Sequence, residues 1–318
     1  MSPATRPRLL ALRALGLGDF VTAVPALRAL ERAYPGHVRV LAAPASHREL
    51  VRMAGLRWRV LPTGLLRTPG WEGPAPDLAV NLHGRGPRST LALAALGPGE
   101  IWSHAHPDAP GVPGPPWPGA VHDSRLWCGL LEHYGVPADP GDVRWPVRAD
   151  AGDGTVLVHP GAASASRRWP AGRFAEVTRL LRERGFRVLL TGSAQEQPLA
   201  ERVAQWAGLE DGAVVAGRTD LRRLVGLVAR ARLLVCGDTG VAHVATACGT
   251  PSVRLFGPVS PALWGPLVDT GAHVCLWSGR RGDPHSDRLD PGLADLTADA
   301  VWQACEHLLR SAEPVSPG

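Results

Sequence analysis

Two stretches of this 318-residue chain carry residue types and spacings suited to phosphate chemistry. Residues 159–181 read HPGAASASRRWPAGRFAEVTRLL and residues 236–258 read CGDTGVAHVATACGTPSVRLFGP. In each, an apolar, β-prone run gives way to a small-residue turn and then to a helical pattern. The first breaks at Pro160 and Gly161 and turns helical from about Pro170; the second turns at Asp238, Thr239 and Gly240. Unpaired N–H groups at a helix N-terminus, with roughly half a positive charge from the helix dipole, attract anions. Two such ends beside Arg167 and Arg168 suit a diphosphate. Plainer readings stand beside this one. Asp238 or Thr239 could simply cap a helix ending at Cys248, with Gly249 after its end and Pro251 beyond. Either arginine could be a solvated surface residue, the reading preferred for Arg168, while Trp169 reads as packing and His243 could be a core histidine.

A third stretch, GLGDFV at residues 16–21, begins like the GxGxxG dinucleotide fingerprint. Its third glycine position is Val21, however, and the next strand ends in Ala42, Ala43 and Pro44 instead of an acidic residue, which argues against a nicotinamide cofactor. Asp19 lies at a strand-to-helix turn, as an N-cap or as a catalytic carboxylate; Thr22 is the competing cap, with Pro25 then in the first turn. His83, Arg85 and Arg88, in NLHGRGPRS, follow another strand and read first as a solvated turn. His104, His106, Asp108, His122 and Asp123 flank a loop without tight metal-ligand spacing. No GxSxG elbow, Walker loop or HExxH occurs.

Composition narrows the classes. The apolar fraction is 45% and the mean hydropathy −0.03, values of a globular protein. No apolar run approaches the roughly 20 residues of a spanning helix, and the N-terminal segment, interrupted by Arg13, reads as a first strand and not a leader. A cytoplasmic protein is expected. All 34 basic residues besides histidine are arginine, the mark of a GC-rich coding sequence. The net charge of +5 is spread among acidic residues without a basic run or a nucleic-acid module, so anionic small substrates are expected and nucleic acid is not. Five cysteines without CxxC spacing indicate neither a disulfide framework nor a zinc site.

Strand and helix patterns alternate through both halves, which predicts parallel sheets with helices on both faces and ligands at the carboxyl ends of the strands. Two domains are expected, 1–150 and 151–318. Residues 137–154, rich in Pro, Asp and Gly, are the linker candidate, and residues 107–119, with six prolines and three glycines, a long loop. A final helical pattern covers residues 298–309.

In chain order, GLGDFVTAVPALRALERAYP, HPGA with S.RRWP..RFAEV, LLTGSAQE, DTGVAH, A..CGTP and LFGP together resemble glycosyltransferase family 9, the ADP-heptose:lipopolysaccharide heptosyltransferases. The match weakens between about 98 and 154 and after Cys275. The resemblance implies the α/β GT-B fold, two Rossmann-like doubly wound domains facing a cleft, with the last helix crossing back to the first. It implies inverting transfer of a heptose or related sugar from a nucleoside diphosphate, ADP-heptose favoured, to an acceptor hydroxyl. The absence of any DxD agrees with a metal-independent reaction, and no cofactor is expected because the sugar nucleotide is a substrate. Asp19 matches the general base of the family. Arg167 stands at the phosphate-binding lysine position, two before the tryptophan, where its planar fork can still hold phosphate. Gly161, Ala162, Ser166, Asp238, Thr239, Gly240 and His243 would line the donor phosphates and sugar, Glu196 the ribose hydroxyls, and Leu221, after the GRTD turn, the base. His83, Arg85 and Arg88 would lie on the acceptor side. The expected partners are the donor and a glycan, glycolipid or small-molecule acceptor, with peripheral membrane contact left open. Two other readings remain: the same machinery with another sugar nucleotide, acting on a cell-wall glycan or secondary metabolite, and a catalytically silent sugar-nucleotide-binding protein. Retention of both Asp19 and Arg167 argues against the last.

Overall fold

The computed structural model describes residues 6–147 and 154–311. Residues 148–153, within the expected linker, lie outside it, and the chain divides after Trp145 into two compact units.

The first unit holds five parallel strands, β1 (Arg8–Leu12), β2 (Val38–Ala43), β3 (Arg59–Pro62), β4 (Leu78–Asn81) and β5 (Glu100–Trp102), in the order β3-β2-β1-β4-β5. Its helices are α1 (Leu17–Ala33), α2 (His47–Met53), α3 (Arg88–Ala94) and α4 (Asp123–His133). A strand covered on both faces must be apolar throughout, and in β1 Leu9, Leu10 and Ala11 are fully buried. The start of α1 differs from both capping expectations. Gly16 is its N-cap, Asp19 falls in the first turn, Thr22 lies further in, and Pro25 sits inside the helix. Burial of Phe20, Val21, Val24 and Leu27 outweighs the missing proline N–H. The Pro-rich segment is irregular, as expected, but fixed: at Gly114 a Cβ would run into the Ser103 carbonyl oxygen, and the Tyr134 hydroxyl donates to Pro113 O at 3.1 Å.

The second unit contains β6 (Val156–His159), β7 (Val188–Leu190), β8 (Leu233–Gly237), β9 (Ser252–Phe256) and β10 (His273–Trp277), again all parallel, in the order β10-β9-β8-β6-β7. Helices α5 (Ala171–Glu183), α6 (Gln197–Ala207), α7 (Leu221–Arg230), α8 (Gly240–Cys248), α9 (Pro261–Trp264), α10 (Pro291–Ala294) and α11 (Ala298–Ser311) surround it. Helix α8 is rich in small residues and buried along Val241–Ala247. It ends at Gly249, whose φ of +77° terminates a helix without a Cβ penalty. The apolar stripe of α11, Val301, Ala304, Cys305, Leu308 and Leu309, packs in the second unit's own core, against α5, β8 and β9. Among the described residues no helix is long and apolar enough to cross a membrane.

Strand order locates the chemistry. Chain direction across the sheet reverses between β1 and β4 in the first unit and between β6 and β8 in the second. Open α/β sheets bind ligands outside the carboxyl ends of the strands at such switch points. The segments that follow these four strands carry Asp19, His83, Arg167 and Asp238.

Candidate active site

At the β6–β8 switch point the turns of the second unit are interlocked. After β6 the chain runs through Gly161 and Ala162 into a 3-10 turn, Ala165–Arg167. After β7 it enters another, Ala194–Glu196, with a reciprocal capping box between Ser193 and Glu196. A Cβ at Gly161 would overlap the Glu196 carboxylate, so the absence of a side chain there admits the acid. Glu196 accepts from Ser193 N–H at 2.7 Å and lies 3.9 Å from His159 Nε2, while His159 Nδ1 meets the Thr191 hydroxyl at 3.0 Å. Burial pushes the Glu196 pKa up, but the Ser193 amide, His159, the Ser193 hydroxyl and Arg168 together bring it below its ordinary value. Burial lowers that of His159. The turn at residues 217–220 packs beside this corner: a Cβ at Gly217 would lie 2.9 Å from Gln197 Oε1 and 3.1 Å from Ala194 Cα. Leu221 opens α7 directly after it, behind the Asp220 cap.

Arg167 and Asp238 meet at 3.8 Å, and Arg167 Nε donates to Ser164 Oγ at 3.2 Å. Asp238 is buried at the end of β8; burial raises its pKa, against which Arg167 and Arg254 pull it down. Thr239 is the N-cap residue of α8 by backbone conformation, but its side chain makes no capping bond, so the capping alternative holds for position and not for the hydroxyl. His243 is buried one turn in, with its ring 5.8 Å from that of Trp264. Ser166 is buried; its N–H donates to Ser286 O at 3.2 Å, and Ser164 Oγ donates to Pro284 O at 2.5 Å. The segment after Cys275, where the resemblance weakens, therefore lines this site. Arg168 is exposed and donates to Ala162 O at 2.8 Å, whereas Trp169 is core, edge-on to Phe174 and bonded to Leu296 O.

The first unit places Asp19 and His83 in a second cluster. His83 Nδ1 accepts from Ala14 N–H at 3.1 Å, and burial, with Arg13 nearby, pushes its pKa down to about 4. Arg85 and Arg88 are exposed at the start of α3. Asp19 has a raised pKa: burial and Asp123 outweigh the lowering by Arg13 and by the Gly16 and Asp19 amides. Three members of this cluster had no part in the sequence reading of the site: Arg13 was only an interruption of the first strand, Thr22 only a competing helix cap, and Asp123 only one of the loop residues without metal-ligand spacing. Arg13 and Asp123 meet at 2.5 Å. The signal for Arg13 was a charge at the end of an apolar strand, a place that demands a carboxylate. His159 was missed likewise, as a polar ending to an apolar run. Among the described residues no group of His, Cys, Asp and Glu could hold a metal.

Known proteins resemble the chain along most of its length. The family model of glycosyltransferase family 9 (heptosyltransferase) matches residues 141–290, which contain every turn of the second-unit site. Lipooligosaccharide heptosyltransferase 2 of Haemophilus ducreyi is 34% identical over 163 residues, 47% of this chain and 46% of that protein. Lipopolysaccharide heptosyltransferase 1 of Pseudomonas aeruginosa is 28% identical over 305 residues, 84% of this chain and 83% of that protein. The solved structure of E. coli ADP-heptose lps heptosyltransferase II superposes with a TM-score of 0.73 at 20% identity, over 96% of this chain and 99% of that one. Over residues 141–290 the chain thus resembles glycosyltransferase family 9, and along most of its length it is similar to a heptosyltransferase. Its two five-stranded units are accordingly the GT-B fold. The chain spans about half the length of the Haemophilus relatives that it matches, while the Pseudomonas alignment covers most of both proteins.

Proposed function

We propose that this chain is a family 9 glycosyltransferase that transfers a heptose or related sugar from an adenine nucleoside diphosphate to an acceptor hydroxyl, with inversion and without a metal ion. The observation that carries this reading is the interlocked corner at the β6–β8 switch point. There Arg167, the N-terminus of α8 at Thr239 and Gly240, and the Gly161–Glu196 contact converge. Sequence kinship favours heptose and a lipopolysaccharide-type acceptor, since the relatives' names speak of lipopolysaccharide or lipooligosaccharide heptose transfer, and that of the E. coli structure specifies ADP-heptose.

In this reading the acceptor oxygen forms its bond to the anomeric carbon as Asp19 takes the hydroxyl proton. The bond from that carbon to the donor's phosphate oxygen breaks, and its electron pair leaves on the diphosphate. Charge grows on the leaving group, so Arg167 and the first-turn amides of α8 stabilise the transition state more than the ground state. Asp238 aims Arg167, Glu196 takes the ribose hydroxyls, and the backbone around Leu221 meets the base. His243 faces the sugar from within α8. His83, Arg85 and Arg88 serve the acceptor side, where the two exposed arginines suit an anionic glycan or glycolipid. The raised pKa of Asp19 supports its role, because a more basic carboxylate is a better proton acceptor near neutral pH. No resident cofactor is needed.

Thermal unfolding with ADP, UDP and GDP at equal concentration tests the donor, because a ligand that binds only the folded state raises stability by RT ln(1 + [L]/Kd). ADP should give the largest shift. A larger shift with UDP would replace the ADP-heptose assignment by another sugar nucleotide, and no shift with any of the three would remove the diphosphate site.

A further inference from the structure

The side chain of Arg13 is 1% exposed at the end of β1, and its guanidinium ties three segments together. Nε donates to the backbone carbonyl of Asp19 at 2.8 Å, Nη1 to Leu82 O at 2.6 Å, and Nη2 to Asp123 Oδ2 at 2.5 Å. The Trp127 ring of α4 lies beneath it, 5.0 Å away. A guanidinium this deep requires a countercharge, and two carboxylates are within reach. They do not share it equally. Asp123 Oδ2 also receives the Thr22 hydroxyl at 2.5 Å, whereas Asp19 Oδ1 stands 3.4 Å from Arg13 Nη2, where a hydrogen bond is weak. The Asp123 carboxylate is 10% exposed and that of Asp19 33%.

We infer that Arg13 is a positioning residue that holds Asp19 by its main chain, and that Asp123 is the countercharge of Arg13, leaving the more exposed carboxylate of Asp19 free to accept a proton. This rests on the assignment of Asp19 as the base. Were Arg13 to engage the Asp19 carboxylate head-on, it would stabilise the charged form and weaken the base. His83, also in this cluster, is held neutral by burial with Arg13 close by and supplies no competing charge. The net upward displacement of the Asp19 pKa, to which Asp123 contributes, agrees with the geometry.

The test is a pH titration of the full chain labelled with side-chain [13C]aspartate, with the Asp19 resonance identified as the one lost in Asp19→Asn. In Asp123→Asn, Arg13 turns to Asp19, and the Asp19 proton affinity should fall about tenfold; in Arg13→Met, Asp123 is left uncompensated, and it should rise about tenfold. A merely structural role moves neither midpoint in this opposed way. If Arg13→Met does not fold, judged by circular dichroism, the isosteric Asp123→Asn decides alone. A midpoint that stays or rises in Asp123→Asn overturns the inference. ADP release from ADP-heptose by Asp19→Asn is measured in parallel and should drop about 10²-fold or more. If release is lost but the Asp123→Asn midpoint stays, the base assignment stands and the Arg13–Asp123 device is refuted. If release survives, the base assignment fails and the inference goes with it, whatever the midpoints do.

Discussion

Replacing Gly161 by alanine tests whether the corner of the second unit is locked as described. The new Cβ would overlap Glu196 Oε1 and Cδ and lie 2.9 Å from Cγ, so the acid must leave. Gly161 has no positive φ, and its backbone accepts alanine without strain. The cost is therefore what Glu196 gives up: the bond from Ser193 N–H at 2.7 Å, its half of the capping box, and its place 3.9 Å from His159. A charge-assisted bond of this kind contributes roughly 1.5–3 kcal/mol and a lost cap roughly 0.5–2. The carboxylate is 17% exposed, so about 2 kcal/mol is expected from urea unfolding at pH 7. Glu196→Ala should cost about the same, and the double variant little more than either single one, a coupling of about 2 kcal/mol. The sign with pH follows from linkage. The folded-state pKa of Glu196 is depressed below 4.5, so its stabilisation is complete above the unfolded value and disappears as pH falls through the folded one. The deficit of Gly161→Ala should shrink over that acidic window. Additive single costs, or a neutral-pH cost below about 0.5 kcal/mol, would show that the carboxylate moves aside freely and that the two turns are not locked.

Arg167→Ala should weaken ADP binding by roughly 1.5–3 kcal/mol in calorimetry, the value of a charge-assisted contact, while Arg168→Ala should change it little; the reverse order would mean that Arg168 is the phosphate ligand. Sugar transfer should survive EDTA, because the positive groups at the corner already face the leaving group, and an absolute need for magnesium or manganese would refute the metal-free reading.

Features that depend on neighbours in sequence were legible. The apolar runs of β1, β4, β6 and β8 mark strands covered on both faces, and the turns after them carry the glycines and small residues of anion sites. The three-residue β5 offered too short a pattern to read. The start of α1 misled because Gly16 caps it without a side-chain signal, while Pro25, ordinarily a first-turn residue, is carried inside the helix by burial. The packing partners of α11 were not legible either. Its apolar stripe says that it is covered, and only the tertiary structure shows by what. Among site residues, Arg167 and Asp238 stand in recognisable turns, but Asp123 joins Arg13 across 110 positions, a pairing for which a single sequence holds no local sign.

Both buried arginines that escaped reading, Arg13 and Arg254, lie under a turn aspartate, and they differ in one respect that fits the chemistry proposed above each. Arg254 is fully buried in β9, in register between Cys236 of β8 and Cys275 of β10. Its Nε donates to Ser252 Oγ at 2.8 Å and its Nη2 to Thr246 Oγ1 at 2.6 Å. Among the described residues no carboxylate pairs with it directly; its charge reaches Asp238 only at longer range. Arg13, by contrast, is neutralised at contact by Asp123. A guanidinium already paired leaves the carboxylate above it basic, which suits proton abstraction. One held by hydroxyls and a histidine ring, as Arg254 is by Ser252, Thr246 and His273, has no carboxylate at contact and lends positive charge through a low-dielectric core to the turn above it, which would suit a diphosphate. In the proposed reaction the same residue type would thus serve opposite electrostatic demands in the two units, and what distinguishes them is the partner that the fold brings to each.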